Sequence, residues 1–170
     1  MFYIQNAFNV KWGGKVTDEE FTEDVKTYGD MLFRLAYSCT GDMSVCDDIV
    51  QETLVKHYCL GKHFDSEEVK RAWLIRVTIN RCRNHTRYWW QKCRTELSVN
   101  EPAHGNEDND ELIALRDALR KLRPIYREVI HLHYYEGFTA AQIAKMLHLS
   151  TSAVTSRLQR GRNMLKQYLE

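Results

Sequence analysis

From Thr17 onward, apolar residues return every three or four positions and hardly ever alternate, so the chain reads as helical with no strand pattern and no internal repeat. Thr17-Asp18-Glu19-Glu20 has the form of a capping box, with Thr17 and Glu20 able to satisfy each other's end of a helix. Phe21, Val25, Tyr28, Leu32 and Leu35 then form one stripe, and Gly41-Asp42 breaks it. A second helix carries Cys46, Val50, Leu54 and Tyr58 on one line, with Val45 and Ile49 beside it. After a polar loop around Phe64, a third and longer helix runs from Ser66 to Tyr88 or beyond. Ala72, Ile75, Ile79 and Cys82 mark its buried side, with Trp73 in the core beside them. Arg76, Asn80, Arg83, Asn84 and Arg87 recur at helical spacing on its other side.

Residues 96–110 combine Pro, Gly, Asn and acids without periodicity and read as a linker. Helices resume at Glu111, with Leu112, Leu115, Leu119 and Leu122 as a stripe. Pro124 opens a further helix through Tyr135, at a position where the missing N–H costs nothing, and Gly137 suits a left-handed cap. Thr139 can cap a short helix, Ala140–Leu147, and Ser150 or Thr151 a longer one. Ile143, Leu147, Leu149, Val154 and Leu158 would form the small core between these two, a helix-turn-helix. The expected fold is all-α: two small helical domains joined by an acidic flexible linker, the C-terminal one containing the helix-turn-helix. The divisions are 1–16, an N-terminal extension; 17–94; the linker, 95–110; and 111–170.

The net charge of +1 hides a segregation. Residues 15–70 hold six basic and 13 acidic side chains, a balance of −7. Residues 71–94 hold seven basic and no acidic ones, and the linker holds five acids and no base. Residues 111–170 carry ten basic against five acidic. Two basic blocks separated by acidic ones imply contact with nucleic acid at two places and with something else elsewhere. The outward face of the last helix fits that use: Ser152, Thr155, Ser156, Gln159 and Arg160, flanked by Arg157 and Arg162, supply small and amide side chains for base edges and guanidiniums for phosphate or guanine. In the basic block, arginines interleave with Trp73, Tyr88, Trp89 and Trp90, cations for phosphates beside flat rings for unstacked bases.

Other chemistry is thin. Five cysteines at 39, 46, 59, 82 and 93, odd in number and without CxxC spacing, read as reduced thiols. His57, Cys59 and His63 are near one another, but three ligands at that spacing match no closed zinc site, and His131 and His133 fall on different sides of a helix; no metal and no cofactor are expected. The phosphate-cradling glycine loop, the HExxH pair and the nucleophile elbow of common enzymes are missing, so no enzymatic activity is expected. The absence of an export signal and of a long apolar run predicts a cytoplasmic protein that does not insert into a membrane.

Three stretches resemble a known family. Asp47–Leu54, DDIVQETL, is similar to its "D-hydrophobic-V-Q-E-T-hydrophobic" helix, and Ala72–Asn84, AWLIRVTINRCRN, to its "AWL-x-R-I-x-x-N" promoter-melting helix. Leu122–Leu165 is similar to its C-terminal helix-turn-helix domain, with "EIA-x-x-LGIS" and "SRL-x-RGR" matched by QIAKMLHLS and SRLQRGR. In this order and spacing they resemble an extracytoplasmic-function (ECF) sigma factor of bacterial RNA polymerase, of the primary sigma family, from Phe21 to the end. His148 stands where the family has its turn glycine, and Ala153 and Thr155 replace the common Thr and Lys of the recognition helix.

The resemblance implies a role for each part. Residues 17–94 would be the region 2 domain. There Asp47, Asp48, Gln51 and Glu52 would dock on core RNA polymerase, and Arg76, Asn80, Arg83, Asn84 and Arg87 would hold the melted minus-ten strand, with the loop from Gly61 to Lys70 taking a flipped base. The linker would thread the active-centre cleft and the RNA exit path. Residues 111–170 would be the region 4 domain, reading the double-stranded minus-thirty-five promoter element through Ser152, Thr155, Ser156, Arg157, Gln159, Arg160 and Arg162. The family also implies an anti-sigma factor as a partner. The alternative is a stand-alone helix-turn-helix transcriptional regulator, which would leave the α-helical docking face, the basic helix and the acidic linker without a purpose.

Overall fold

The computed structural model describes residues 16–61, 64–92 and 110–170. The extension up to residue 15, Lys62, His63 and residues 93–109, and with them nearly all of the expected linker, lie outside the described residues, as do the side chains of residues 87–92, 110 and 112. Seven α-helices are formed among the described residues: α1 Asp18–Thr40, α2 Cys46–Leu60, α3 Glu67–Lys92, α4 Asp110–Lys121, α5 Pro124–Ile130, α6 Ala140–Leu147 and α7 Thr151–Leu169. No strand occurs among the described residues.

Local chemistry sets the helix ends. Thr17 accepts from the Glu20 amide while Glu20 Oε2 accepts from the Thr17 amide at 2.9 Å, the predicted capping box. Gly41, at φ +74°, closes α1 in the left-handed conformation. Pro124 occupies the first turn of α5. The continuous helix expected from Pro124 to Tyr135 divides: it is α-helical to Ile130, then widens into a π-helical turn, His131–Tyr135, where the Glu136 amide donates to the His131 carbonyl.

Helices α1 to α3 pack on one another around Leu32, Leu35, Leu74, Ile75 and Ile79, all fully buried. Two predicted stripes are rotated. On α1, Val25 is 37% exposed and its neighbour Asp24 is buried. On α2, Tyr58 is 42% exposed, while Thr53 and His57 are buried beside Ile49 and Leu54. The reason is a polar network. Asp24 Oδ2 lies 2.8 Å from His57 Nε2, and its Oδ1 accepts from Lys70 Nζ at 2.8 Å, so one buried carboxylate ties α1 to α2 and α3. A buried charge is tolerated when paired and hydrogen-bonded in this way. Burial pulls the Lys70 ammonium down, but hydrogen bonds to Asp24 and Glu67 outweigh it and hold its pKa above the ordinary value. Tyr58 instead packs its ring, tilted by 54°, against Phe21 at 4.9 Å between centroids and donates to Asp18 at 2.8 Å.

Helices α5, α6 and α7 enclose Val129, Leu132, Ile143, Val154 and Leu158. Gly161 of α7 is buried against α5, where a Cβ would stand 2.7 Å from Ile130 Cδ1, so a larger residue would require the Ile130 side chain to move. The two helical units also meet: α1 packs against α5, and α3 against α6.

Candidate nucleic-acid and polymerase interface

The helix-turn-helix forms as its sequence predicts. Thr139 and Gln142 make a second capping box, and Ser150 Oγ accepts from the Ala153 amide at 3.1 Å to start α7. His148 caps α6 at φ 53°, ψ 48°, taking the left-handed place of the expected glycine. Ile143, Leu147, Val154 and Leu158 are buried and Leu149 is half-buried, which fixes the angle between α6 and α7. Ser152, Thr155, Ser156, Gln159, Arg160 and Arg162 are exposed on the opposite face, with Arg157 half-buried at its edge. Thr155 donates to the Thr151 carbonyl at 2.9 Å, which orients its hydroxyl oxygen, and Arg162 Nη1 donates to the Tyr134 hydroxyl at 3.3 Å. No described partner pairs with the guanidiniums of Arg157 and Arg160, which leaves them available to an anionic ligand.

A second exposed face lies on α2. Asp47 and Asp48 stand in its first turn, where carboxylates meet the positive end of the helix. Asp47, Asp48, Gln51 and Glu52 all face solvent. Glu52 is taken up by an ion pair with Arg81 of α3. Val55, 55% exposed, sits four residues after Gln51 on the same face; the sequence reading missed it, although an apolar residue off the buried line was the available signal.

The basic face of α3 is only partly open. Asn80 and Asn84 are exposed and Arg76 is half-buried, with burial drawing its guanidinium below the ordinary pKa. The side chains of Arg87, Trp89 and Trp90 lie outside the described residues. Arg83 departs from the predicted free stripe. Its Nη2 and Nε donate to the two carboxylate oxygens of Glu128 on α5, at 2.6 and 3.0 Å. Hydrogen bonds to Glu128 outweigh burial and raise the Arg83 pKa. Arg71, which sequence reasoning also missed, donates to Glu136 Oε2 at 2.6 Å and lies 4.8 Å over the Phe138 ring. Two arginines of the basic helix therefore hold two carboxylates of the other unit. Ahead of α3, Phe64 and Trp73 pack at 5.5 Å, both buried as predicted for Trp73, so the loop is pinned to the core at its centre.

Of the trio that could suggest zinc, His57 is engaged by Asp24, Cys59 is exposed and His63 lies outside the described residues. Among the described residues no group of His, Cys, Asp and Glu could hold a metal ion, and no helix is long and apolar enough to cross a membrane.

Two family models match, Sigma-70 region 2 over residues 25–91 and Sigma-70, region 4 over residues 112–165. The chain is 33% identical over 153 residues to the ECF RNA polymerase sigma factor SigL of Mycobacterium tuberculosis, covering 82% of this chain and 83% of that protein. It is 26% identical over 176 residues to the ECF RNA polymerase sigma factor SigW of Bacillus subtilis, covering 94% of each. Among solved structures, the sigma factor RpoE in complex with the anti-sigma factor NepR from Bartonella quintana aligns with a TM-score of 0.77 at 22% identity, over 89% of this chain and 97% of that one. CnrH in complex with the cytosolic domain of CnrY aligns with a TM-score of 0.66 at 28% identity, over 90% and 89%.

Proposed function

We propose a division of labour that proceeds from one premise: this chain belongs to the sigma-70 family, as an ECF sigma factor of RNA polymerase. The wider sigma-70 label replaces the narrower "primary sigma" of the sequence reading, because both matching models carry it. A matched region 2 over residues 25–91 also disfavours a stand-alone regulator, which would have no use for it.

Residues 17–94 act as the region 2 domain and residues 111–170 as the region 4 domain, with the acidic linker between them following the RNA path. Asp47, Asp48 and Gln51, with Val55 one turn further along the same face, dock on core polymerase; Glu52 contributes through its pair with Arg81. Arg76, Asn80, Asn84 and Arg87 face the melted minus-ten strand, joined by Arg83 once Glu128 releases it. The α7 face reads the minus-thirty-five element. The protein works in the cytoplasm, without enzymatic activity of its own, under an anti-sigma partner like those bound to RpoE and CnrH. The observation that carries this reading is that one chain presents an exposed acidic face on α2 and an exposed basic recognition face on α7. Run-off transcription on a genomic library, with core polymerase alone and with the chain added, tests it. New start sites sharing one upstream element are expected; an unchanged transcript pattern overturns it.

Two finer expectations attach to the DNA faces. Asn80→Ala should reduce open-complex formation more than closed binding, because its contact exists only after a base leaves the stack. Permanganate footprinting on duplex and pre-melted templates compares the two, and an equal loss on both would make Asn80 structural. Arg160→Ala should weaken one or two positions of the upstream element, by about 1–3 kcal/mol of discrimination. Arg162→Ala, placed toward phosphate, should weaken all sequences alike and reduce the salt slope by roughly one. Identical sequence-independent losses in a binding titration would place the recognition face elsewhere.

A further inference from the structure

Between the two helical units lies a cleft of about 370 Å³ that none of these faces uses. Arg34 and Tyr37 of α1 form one wall; Arg116, Leu119 and Arg120 of α4 and Arg127 of α5 form the other. Among the described residues, four guanidiniums line it and no carboxylate does. Arg127 is the telling residue. It is only 9% exposed, its Nε is buried without a hydrogen-bond partner, and among the described residues no carboxylate pairs with it. The acid next to it in sequence, Glu128, is committed to Arg83. The guanidinium lies against bare backbone at the end of α1, where a Cβ on Gly41 would stand 3.3 Å from its Nη1. Burial draws its pKa below the ordinary value, outweighing the opposing pull of Cys39 and Glu128. Arg120 is held in place by the Tyr37 hydroxyl, 2.6 Å from its Nη2, and its Nε is also buried without a partner.

We propose that this cleft is a binding site for a small molecule carrying a chain of phosphates, which supplies the missing anion to Arg127 and bridges the two units. Guanidinium forks match phosphate oxygens bidentately. The volume falls within the ~300–1,000 Å³ range of small-molecule sites, and the Leu119 side chain and Tyr37 ring offer an apolar wall to the remainder of the ligand. A phosphate chain delivers several charges into a space this size, whereas an acidic peptide spaces one carboxylate per side chain. Because the walls come from both units, the ligand binds only while they are together and so favours the closed arrangement.

The test is calorimetric titration of the full chain at about 150 mM salt, where weak surface binding is screened. Inorganic tripolyphosphate and magnesium-free adenosine triphosphate are the two probes. Equal affinities identify an inorganic source, and tighter adenosine triphosphate binding a nucleoside one; either supports the site. Arg127→Leu should weaken binding roughly tenfold or more, the worth of one charge-assisted contact, with melting temperature unchanged or raised because an unpaired buried charge is gone. Arg34→Ala, at the exposed mouth, should weaken it by several-fold with the fold untouched. Arg160→Ala on the recognition helix should change nothing. No binding below about 1 mM for either probe overturns the proposal. So does an equal loss in Arg160→Ala, which would place the anion on the DNA face, or tighter binding of a decaglutamate peptide.

Discussion

A chain carrying Asp48→Lys, Gln51→Lys and Val55→Asp should no longer co-purify with core RNA polymerase, while its far-ultraviolet dichroism and melting temperature stay near those of the parent. All three side chains are exposed on one face of α2, and none holds a partner within the chain among the described residues. Their replacement therefore removes no side-chain contact from the fold, only the small favourable effect of the Asp48 carboxylate at the start of α2. Surface substitutions of this kind usually move stability by no more than about 0.5 kcal/mol. At an interface the same changes are severe. Truncating a buried, hydrogen-bonded charge costs about 2–5 kcal/mol, reversing its sign adds repulsion, and an aspartate in place of Val55 puts a charge where the face was apolar. The loss should exceed about a thousandfold in affinity. Glu52 is left intact because Glu52→Lys would set a lysine against Arg81 and confuse local strain with lost docking. Pull-down at matched concentration reads the outcome, and undiminished retention of the triple variant would remove α2 as the docking face.

Arg83→Ala should separate the two helical units while leaving each one helical. The Glu128 side chain is 1% exposed, and its two oxygens are occupied by one guanidinium. Removing Arg83 strands a buried carboxylate, at a cost of about 3 kcal/mol, the lower end of the range for breaking a buried pair because Arg83 is itself partly solvated. Opening lets water reach Glu128, so the unfavourable charge is relieved by domain separation and not by unfolding. Small-angle scattering should show a larger radius of gyration for Arg83→Ala. The double variant Arg83→Met with Glu128→Met should return toward the parent, since an apolar pair of similar volume needs no counter-charge. An identical scattering profile for parent and Arg83→Ala would show that this pair does not hold the units together. Glu128→Gln separates the two roles given to Arg83. It weakens the latch and leaves the arginine in place, so it should raise promoter-complex formation at limiting core polymerase, whereas Arg83→Ala should lower it.

Helix ends and the helix-turn-helix were legible in the sequence almost to the residue, because the forces that set them are local. Thr17 with Glu20, Thr139 with Gln142, and Ser150 with the Ala153 amide all act across three positions, and Pro124 and Gly41 act through their own backbone torsions. The same holds for the α7 face: with Val154 and Leu158 buried, helical geometry alone turns Ser152, Ser156 and Arg160 outward.

Polar burial was decided only by the tertiary structure. Asp24 meets His57 across 33 positions and Lys70 across 46, and Arg83 meets Glu128 across 45. Periodicity ranks side chains by polarity and assigns charged ones to solvent, so it put Val25 inside, passed over Asp24 and set Arg83 on the open polar stripe. A charge can be buried only when a distant residue supplies its counter-charge, and nothing local reports which residue that is. The widening of α5 into a π-helical turn is of the same kind, since the backbone torsions of His131–Tyr135 answer to packing beside Glu136 and α6 more than to their own propensity. The sequence by itself determined where most helices begin and end, the close of α5 excepted, and which face of α7 looks outward. The contact between the two units, and with it the half-hidden state of the basic helix, depended on charge pairs that only the folded chain brings within reach.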